Sequence, residues 1–176
     1  MKYFLALLFL IGFTANATET KTHHFFDEKL AIELPTQLKP LTKSAMRKRY
    51  SQQSTPPAFA FNNKDKNVSF TFTQYTTPAE KKSMKRVHNA LSSMLRKANS
   101  SAQWKKDKVY SRLDTRIAVF EYETSAVGKY QYNLTYALPV NGKLTFISFI
   151  TTEKKYKSKW LELARQSMDS IQLTSP

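Results

Sequence analysis

The sequence predicts an α+β domain: an antiparallel β-sheet of about six to seven strands flanked by helices on its faces, an α/β/α sandwich. Three observations predict it. Residues 78–99 and 153–171 carry apolar side chains at the helical period. Between them lie four strand-like segments joined by links too short for crossover helices. One of those links is Asn141-Gly142, the dipeptide of a tight β-hairpin. Strands joined so closely pair antiparallel, and helices outside the run bury their stripes on the sheet faces.

Residues 1–17 read as an address. Met1-Lys2 is a positive start, residues 3–13 form an apolar run, and Ala15 and Ala17 place small residues two apart. That is the pattern of a cleavable signal peptide. The run is about half the ~20 residues a membrane span needs. No cysteine follows it, so a lipid anchor on cysteine is excluded. Cleavage after Ala17 would leave 159 of the 176 residues. We expect a flexible polar segment at 18–24 and one α+β domain over 25–176, large enough to hold by its own core.

Within the domain, residues 25–34 read as a tight hairpin turning at Asp27-Glu28-Lys29. Pro35 and Pro40 break the chain, 41–50 is a short basic helix and 51–57 a proline-bearing loop. Strands follow at 58–61 and 67–75, linked by a polar turn over 62–66. In the second, Val68, Phe70 and Phe72 share a face. Residues 78–99 form a helix with Thr77 as N-cap and Pro78 at its first position. Its apolar stripe is Met84, Val87, Leu91, Met94, Leu95 and Ala98, and Lys81, Lys82, Lys85, Arg86, Arg96 and Lys97 lie opposite.

The strands of the meander are 104–113, an irregular edge; 115–124, with Ala118, Phe120 and Tyr122 on one face and Ile117 and Val119 on the other; 129–138; and 143–151. The last is apolar on both faces, as a central strand covered on both sides requires. Ala126-Val127-Gly128 and Asn141-Gly142 make the hairpin links. The closing helix, 153–171, has the stripe Tyr156, Trp160, Leu163, Ala164, Ser167, Met168 and Ile171.

Four of these features resemble the PsbP/DcrB-like superfamily of single-domain α/β/α sandwiches. They are the opening strand ending Ile32-Glu33-Leu34-Pro35, the helix placed before the meander, the hairpin over 130–149, and a closing helix ending Met168-Asp169-Ser170-Ile171. The resemblance spans about 26–173. Leu38 stands where many members have a tryptophan. It implies the sandwich fold and a non-catalytic role, as in extrinsic subunits of membrane complexes, envelope proteins and adaptors. It carries over no functional residues.

Composition excludes much chemistry. With no cysteine there is no thiol nucleophile, disulfide or thiolate metal site. Beyond residue 17 the only glycines are Gly128 and Gly142, too few for a phosphate-cradling loop or a nucleophile elbow. No cofactor is expected. His23-His24 could take up Cu or Ni adventitiously, and His88, at the border of the helical stripe, is the one histidine a hydrolase could use. Glu121 and Glu123 point the same way on one strand, as a carboxylate pair would, or as partners of lysines. Tyr130, Tyr132 and Tyr136 share a strand face, either as core beneath a helix or as a stacking platform.

The net charge is +15, and cleavage would remove only Lys2, leaving +14. A surplus of this size creates a positive field. The candidate interaction surface is Lys81, Lys82, Lys85 and Arg86 on the helix back, with Trp104, Lys105, Lys106 and Lys108 on the edge strand. Trp104 would be an exposed docking residue there, or a plug at the sheet edge. The expected function is an exported, non-enzymatic binding or adaptor domain in the periplasm or outside the cell. Its partner would be a protein or an anionic envelope component; an immunity-like protein that neutralises a toxin fits its size and lack of chemistry. The second reading is direct binding of an anionic polymer or lipid, and the third a hydrolase built on His88.

Overall fold

A computed structural model describes residues 18–126 and 129–174. The signal-peptide segment and part of the 126–128 link lie outside the described residues. In chain order the strands are β1 (Thr20–Phe25), β2 (Leu30–Pro35), β3 (Lys39–Pro40), β4 (Phe59–Asn62), β5 (Val68–Pro78), β6 (Gln103–Arg112), β7 (Thr115–Ala126), β8 (Lys129–Val140), β9 (Lys143–Thr151) and β10 (Gln172–Leu173). The helices are α1 (Lys43–Arg49), α2 (Met84–Ala98) and α3 (Lys157–Asp169), the last two each preceded by a 3-10 turn.

Seven strands form one antiparallel sheet in the order β3-β4-β5-β9-β8-β7-β6. The meander and the central strand follow the sequence pattern: β9 is the middle strand, and β6 is an edge. Leu144 of β9 joins one core, and Ile147 and Phe149 join the other. Asn141 and Gly142 have φ of 51° and 71°, the left-handed pair a tight hairpin needs. Leu113 and Asp114 make a second such turn, at 56° and 54°, where composition gives no glycine to announce it.

Three features differ from expectation. The opening hairpin does not join the main sheet. It forms a second, three-stranded sheet, β1-β2-β10, completed by the strand that follows α3. The segment 18–24 is not loose: Thr20–Phe25 is β1, paired residue for residue from Thr20↔Pro35 to Phe25↔Leu30. Its polar side chains fit an edge strand with one side in water. Its turn bends through Phe26, Asp27 and Glu28, all at positive φ.

The third difference is the start of α2. Pro78 is still strand, opposite Lys143, and the backbone N–H of Ala79 donates to the Gly142 carbonyl at 2.9 Å. A 3-10 turn over Lys81–Ser83 then leads into the helix, with the Glu80 N–H donating to Ser83 Oγ at 3.1 Å. Thr77 is therefore no cap. The stripe is also narrower than its periodicity. Met84 is buried and Val87, Leu91 and Leu95 rest on the sheet, but Met94 is 55% exposed and Ala98 faces water.

Each face of the large sheet has its own core. The first joins Phe70, Phe72, Ile117, Val119, Leu134 and Phe149 to Leu30, Ile32 and Leu34 of β2 and to Leu161, Ala164 and Met168 of α3. The second joins Ala118, Phe120, Ala137 and Leu144 to Met84. The small sheet and α3 thus cover one face, and α2 the other. Tyr132 is buried in the first core with Tyr130 and Tyr136 at its margin, so the tyrosine row is core.

Candidate functional site

The edge strand β6 carries half of the expected interaction surface and divides it. A register shift between Trp104 and Lys106 marks a β-bulge, which inserts one residue against a single partner. Trp104 turns to the α2 side. Its ring lies 4.6 Å from that of Tyr122, under the Arg96 guanidinium at 4.4 Å. It is half-buried and plugs the sheet edge. Past the bulge, Lys105 and Lys106 both reach the opposite face, 3.5 Å from Glu123 and 3.5 Å from Glu121. Lys108 is exposed. The eight residues therefore do not make one surface.

Glu121 is a fully buried carboxylate. The Tyr132 hydroxyl and Arg165 Nη2 (2.6 Å) both donate to its Oε1. Its Oε2 accepts no hydrogen bond and faces the Lys106 ammonium. Burial pushes this carboxyl up, but Tyr132, Arg165 and Lys106 outweigh burial and hold it below the usual range. Glu123, one pleat along, accepts from Tyr130 (3.2 Å) and Lys157 (3.3 Å). Lys157, Lys105 and Tyr130 likewise overcome desolvation and lower it. Burial, then Glu123, pushes Tyr130 up to about 12. Both acids are held ionised, whereas a glycosidase needs one held protonated. Their chemistry is that of clamps: Arg165 and Lys157 fasten α3 to the sheet, and Lys105 and Lys106 fasten β6.

On the other face Asp107 is a hub. His88 Nε2 lies 2.8 Å from Oδ1; Ser92 Oγ donates to Oδ2 at 2.6 Å, and Arg96 donates to it through Nε (2.9 Å) and Nη2 (2.6 Å). Burial pushes Asp107 up, and Ser92, Arg96 and His88 together outweigh it. His88 thus does reach an acid. The order is wrong for acyl transfer, which needs the histidine between serine and acid. Here the acid stands between serine and histidine, and the imidazole stacks on Phe120 at 5.3 Å. His23 and His24 are neighbours in β1, so their side chains point to opposite sides and cannot share a metal. Among the described residues no group of three metal-ligating side chains forms.

The other half of the expected surface gathers around a residue the sequence did not single out. Lys81 and Lys82 meet Arg116 of β7 in one shallow depression of about 400 Å³. Lys85 and His88 meet Arg116 in an adjoining one of about 380 Å³. Arg116 shows no sequence signal beyond its place on a strand. Arg86 is exposed. Glu80, paired to Lys82 at 3.0 Å, is the one carboxylate lining either depression.

A second basic concavity lies at the far edge of the sheet. A groove of about 580 Å³ runs between α1 and the β3–β4 edge, lined by Lys39, Lys48, Arg49 and Lys66 and walled by Pro40, Leu41 and Ala45. Thr42 caps α1 by accepting from the Ala45 N–H at 3.2 Å, which sets Lys48 and Arg49 in its last turn. Asn62 is 7% exposed. In the amide orientation that satisfies both its groups it accepts from Arg49 at 2.6 Å and donates to the Phe61 carbonyl at 2.9 Å. The cations come from three separate segments, so only the fold assembles them.

No family model matches the chain, and no curated protein matches it in sequence. Its fold does match solved structures. Cyanobacterial PsbP (CyanoP) from Synechocystis superposes with a TM-score of 0.64 at 10% identity, over 92% of this chain and 96% of that one. The Ran-binding protein Mog1p of Saccharomyces cerevisiae gives 0.56 at 9%, over 89% and 96%. LpqN of Mycobacterium tuberculosis, involved in cell envelope biogenesis, gives 0.50 at 10%, over 89% and 91%. The chain has the PsbP-like α+β sandwich fold that its sequence resembles. At these identities the likeness is one of fold.

Proposed function

We propose that this chain is an exported, non-enzymatic binding or adaptor domain that recognises a protein partner or an anionic envelope component through a basic surface. The observation that carries this reading is the convergence of Lys81, Lys82, Lys85 and Arg116 on two adjoining depressions with one lining carboxylate. Such a surface is complementary to acidic side chains or phosphates, and complementarity of this kind steers association. The clamped state of Glu121, Glu123 and Asp107 supports a non-catalytic role, because the acids are engaged in ion pairs. Export rests on residues 1–17. It accords with the involvement of LpqN in cell envelope biogenesis, as protein binding accords with the Ran binding of Mog1p.

The test is affinity capture from native envelope extract, comparing the native chain with a Lys81→Gln/Lys82→Gln/Arg116→Gln variant at low and high salt. The reading expects a defined species retained by the native chain and lost from the variant, with both equally folded by circular dichroism. Identical capture by the two would overturn it. The large positive surplus favours one second reading, direct binding of an anionic polymer or lipid. There, retention collapses steeply with salt as counterions compete, whereas a protein complex persists as a 1:1 species. A screen of ester and glycoside substrates with the native chain and His88→Ala checks the hydrolase reading, for which turnover abolished by that change would be needed.

A further inference from the structure

We propose that the groove between α1 and the β3–β4 edge is a binding site for a multiply charged phosphate group, of the pyrophosphate or phosphomonoester class. It lies at the opposite edge of the large sheet from β6 and stands apart from the α2 surface.

The first argument is charge. Lys39, Lys48, Arg49 and Lys66 line the groove and no carboxylate does. Lys39, Lys48 and Lys66 make no ion pair among the described residues; Asp65, in the adjacent turn, does not line it. Four cations line this groove, whereas the depression beside α2 that holds Lys81, Lys82 and Arg116 is also lined by Glu80. Four like charges held together repel one another, and an anion with two or more charges relieves the repulsion.

The second argument is preorganisation. Arg49 is fixed by Asn62 and lies over the Tyr50 ring at 5.9 Å. The turn bearing Lys66 is locked: Asn63 Oδ1 accepts from the N–H groups of Asn67 (3.1 Å) and Val68 (3.0 Å), and its Nδ2 donates to Asn67 Oδ1 at 2.6 Å. Lys66 itself is held at φ 59°, in the left-handed region. A guanidinium fork with three ammonium point charges suits phosphate better than a single carboxylate. The wall of Pro40, Leu41 and Ala45 gives the groove one apolar side beside its cations. The volume lies within the range of small-molecule sites, enough for a phosphate and the group that bears it.

The experiment titrates pyrophosphate into the full chain at low salt, read by calorimetry and by amide shifts. A parallel arm measures co-sedimentation with phosphatidylcholine vesicles with and without phosphatidic acid. We expect saturable 1:1 pyrophosphate binding, with shifts at Lys39, Lys48, Arg49 and Lys66. Lys48→Gln/Lys66→Gln, at exposed positions, should weaken it roughly tenfold or more by removing charge-assisted contacts. Lys81→Gln/Lys82→Gln should leave it unchanged. Binding of both probes, each lost in the groove variant, assigns the phosphate to a lipid headgroup; pyrophosphate binding alone assigns it to a soluble ligand. Binding of neither probe, or equal loss in the two variants, overturns the proposal. The α2 surface is read separately, by capture with its own Lys81/Lys82/Arg116 variant, so the two readings fail independently.

Discussion

The two edges of the seven-stranded sheet handle the same surplus of positive charge in opposite ways. At the β6 edge the cations packed around the strand's bulge have acids: Lys106 and Arg165 meet Glu121, Lys105 and Lys157 meet Glu123, and Arg96 meets Asp107, while Lys108 stays exposed. At the β3–β4 edge the lining cations meet none. The first arrangement holds the fold together, and the second leaves charge available for a ligand. A lysine count does not separate the two. The placement of the few acids does, because each buried carboxylate needs partners and commits the cations around it.

The contrast can be broken at its strongest point first. Glu121→Gln removes a fully buried charge and leaves Arg165, Lys106 and the Tyr132 hydroxyl without it. We expect a loss of about 3 kcal/mol in urea unfolding, in the range for removing one partner of a buried pair. Stability should also fall with acid in a defined window. Glu121, Glu123 and Asp107 all have folded values lowered from 4.5, 4.5 and 3.8. Their contribution is complete above those ordinary values and is lost as the pH falls below them through the lowered ones. Glu121→Gln should flatten that acid transition, which a pH series of unfolding midpoints would reveal.

Smaller changes sharpen the comparison. Arg96→Ala removes the cover over Trp104 and one partner of Asp107, and should cost about 1 kcal/mol, since half of that side chain is in water. Lys105→Gln/Lys106→Gln should cost about 0.5–1 kcal/mol. Lys48→Gln/Lys66→Gln should cost nothing measurable, within about 0.5 kcal/mol either way. Equal losses from the two lysine pairs would erase the difference between the edges.

The fold was legible where one strong local signal governed. Alternation in 115–124 and 129–138, two-sided apolarity in 143–151 and the Asn141-Gly142 turn all predicted the meander and its central strand. The small sheet was not legible, because its last strand is two residues long and its first is polar. The start of α2 was misread because Pro78 signals a helix N-terminus and, equally, the end of an edge-proximal strand; pairing with Lys143 decided it. The interaction surface was divided by a bulge, which inverts side-chain direction without changing composition. The groove needed Lys39, Lys48 and Lys66 to be neighbours in space, and no spacing in the sequence encodes that. Lys48 and Arg49 were visible only as part of a basic helix, which is usually a solvated face.

The pairing of β10 with β2 has a consequence for the order in which the molecule can be completed. Gln172 and Leu173 lie against Ala31 and Leu30, and Thr174 reaches past them to the turn of the opening hairpin, its N–H donating to the Lys29 carbonyl at 3.2 Å and its hydroxyl to that of Glu28 at 3.0 Å. Strand β2 thus receives its last partner from residues made much later in synthesis. Until then one flank of β2 has no neighbour, and its inner side lacks the α3 residues that cover it. Closure of so long a loop is slow. A domain wired this way stays incomplete during elongation and clasps shut only once β10 is free to meet β2.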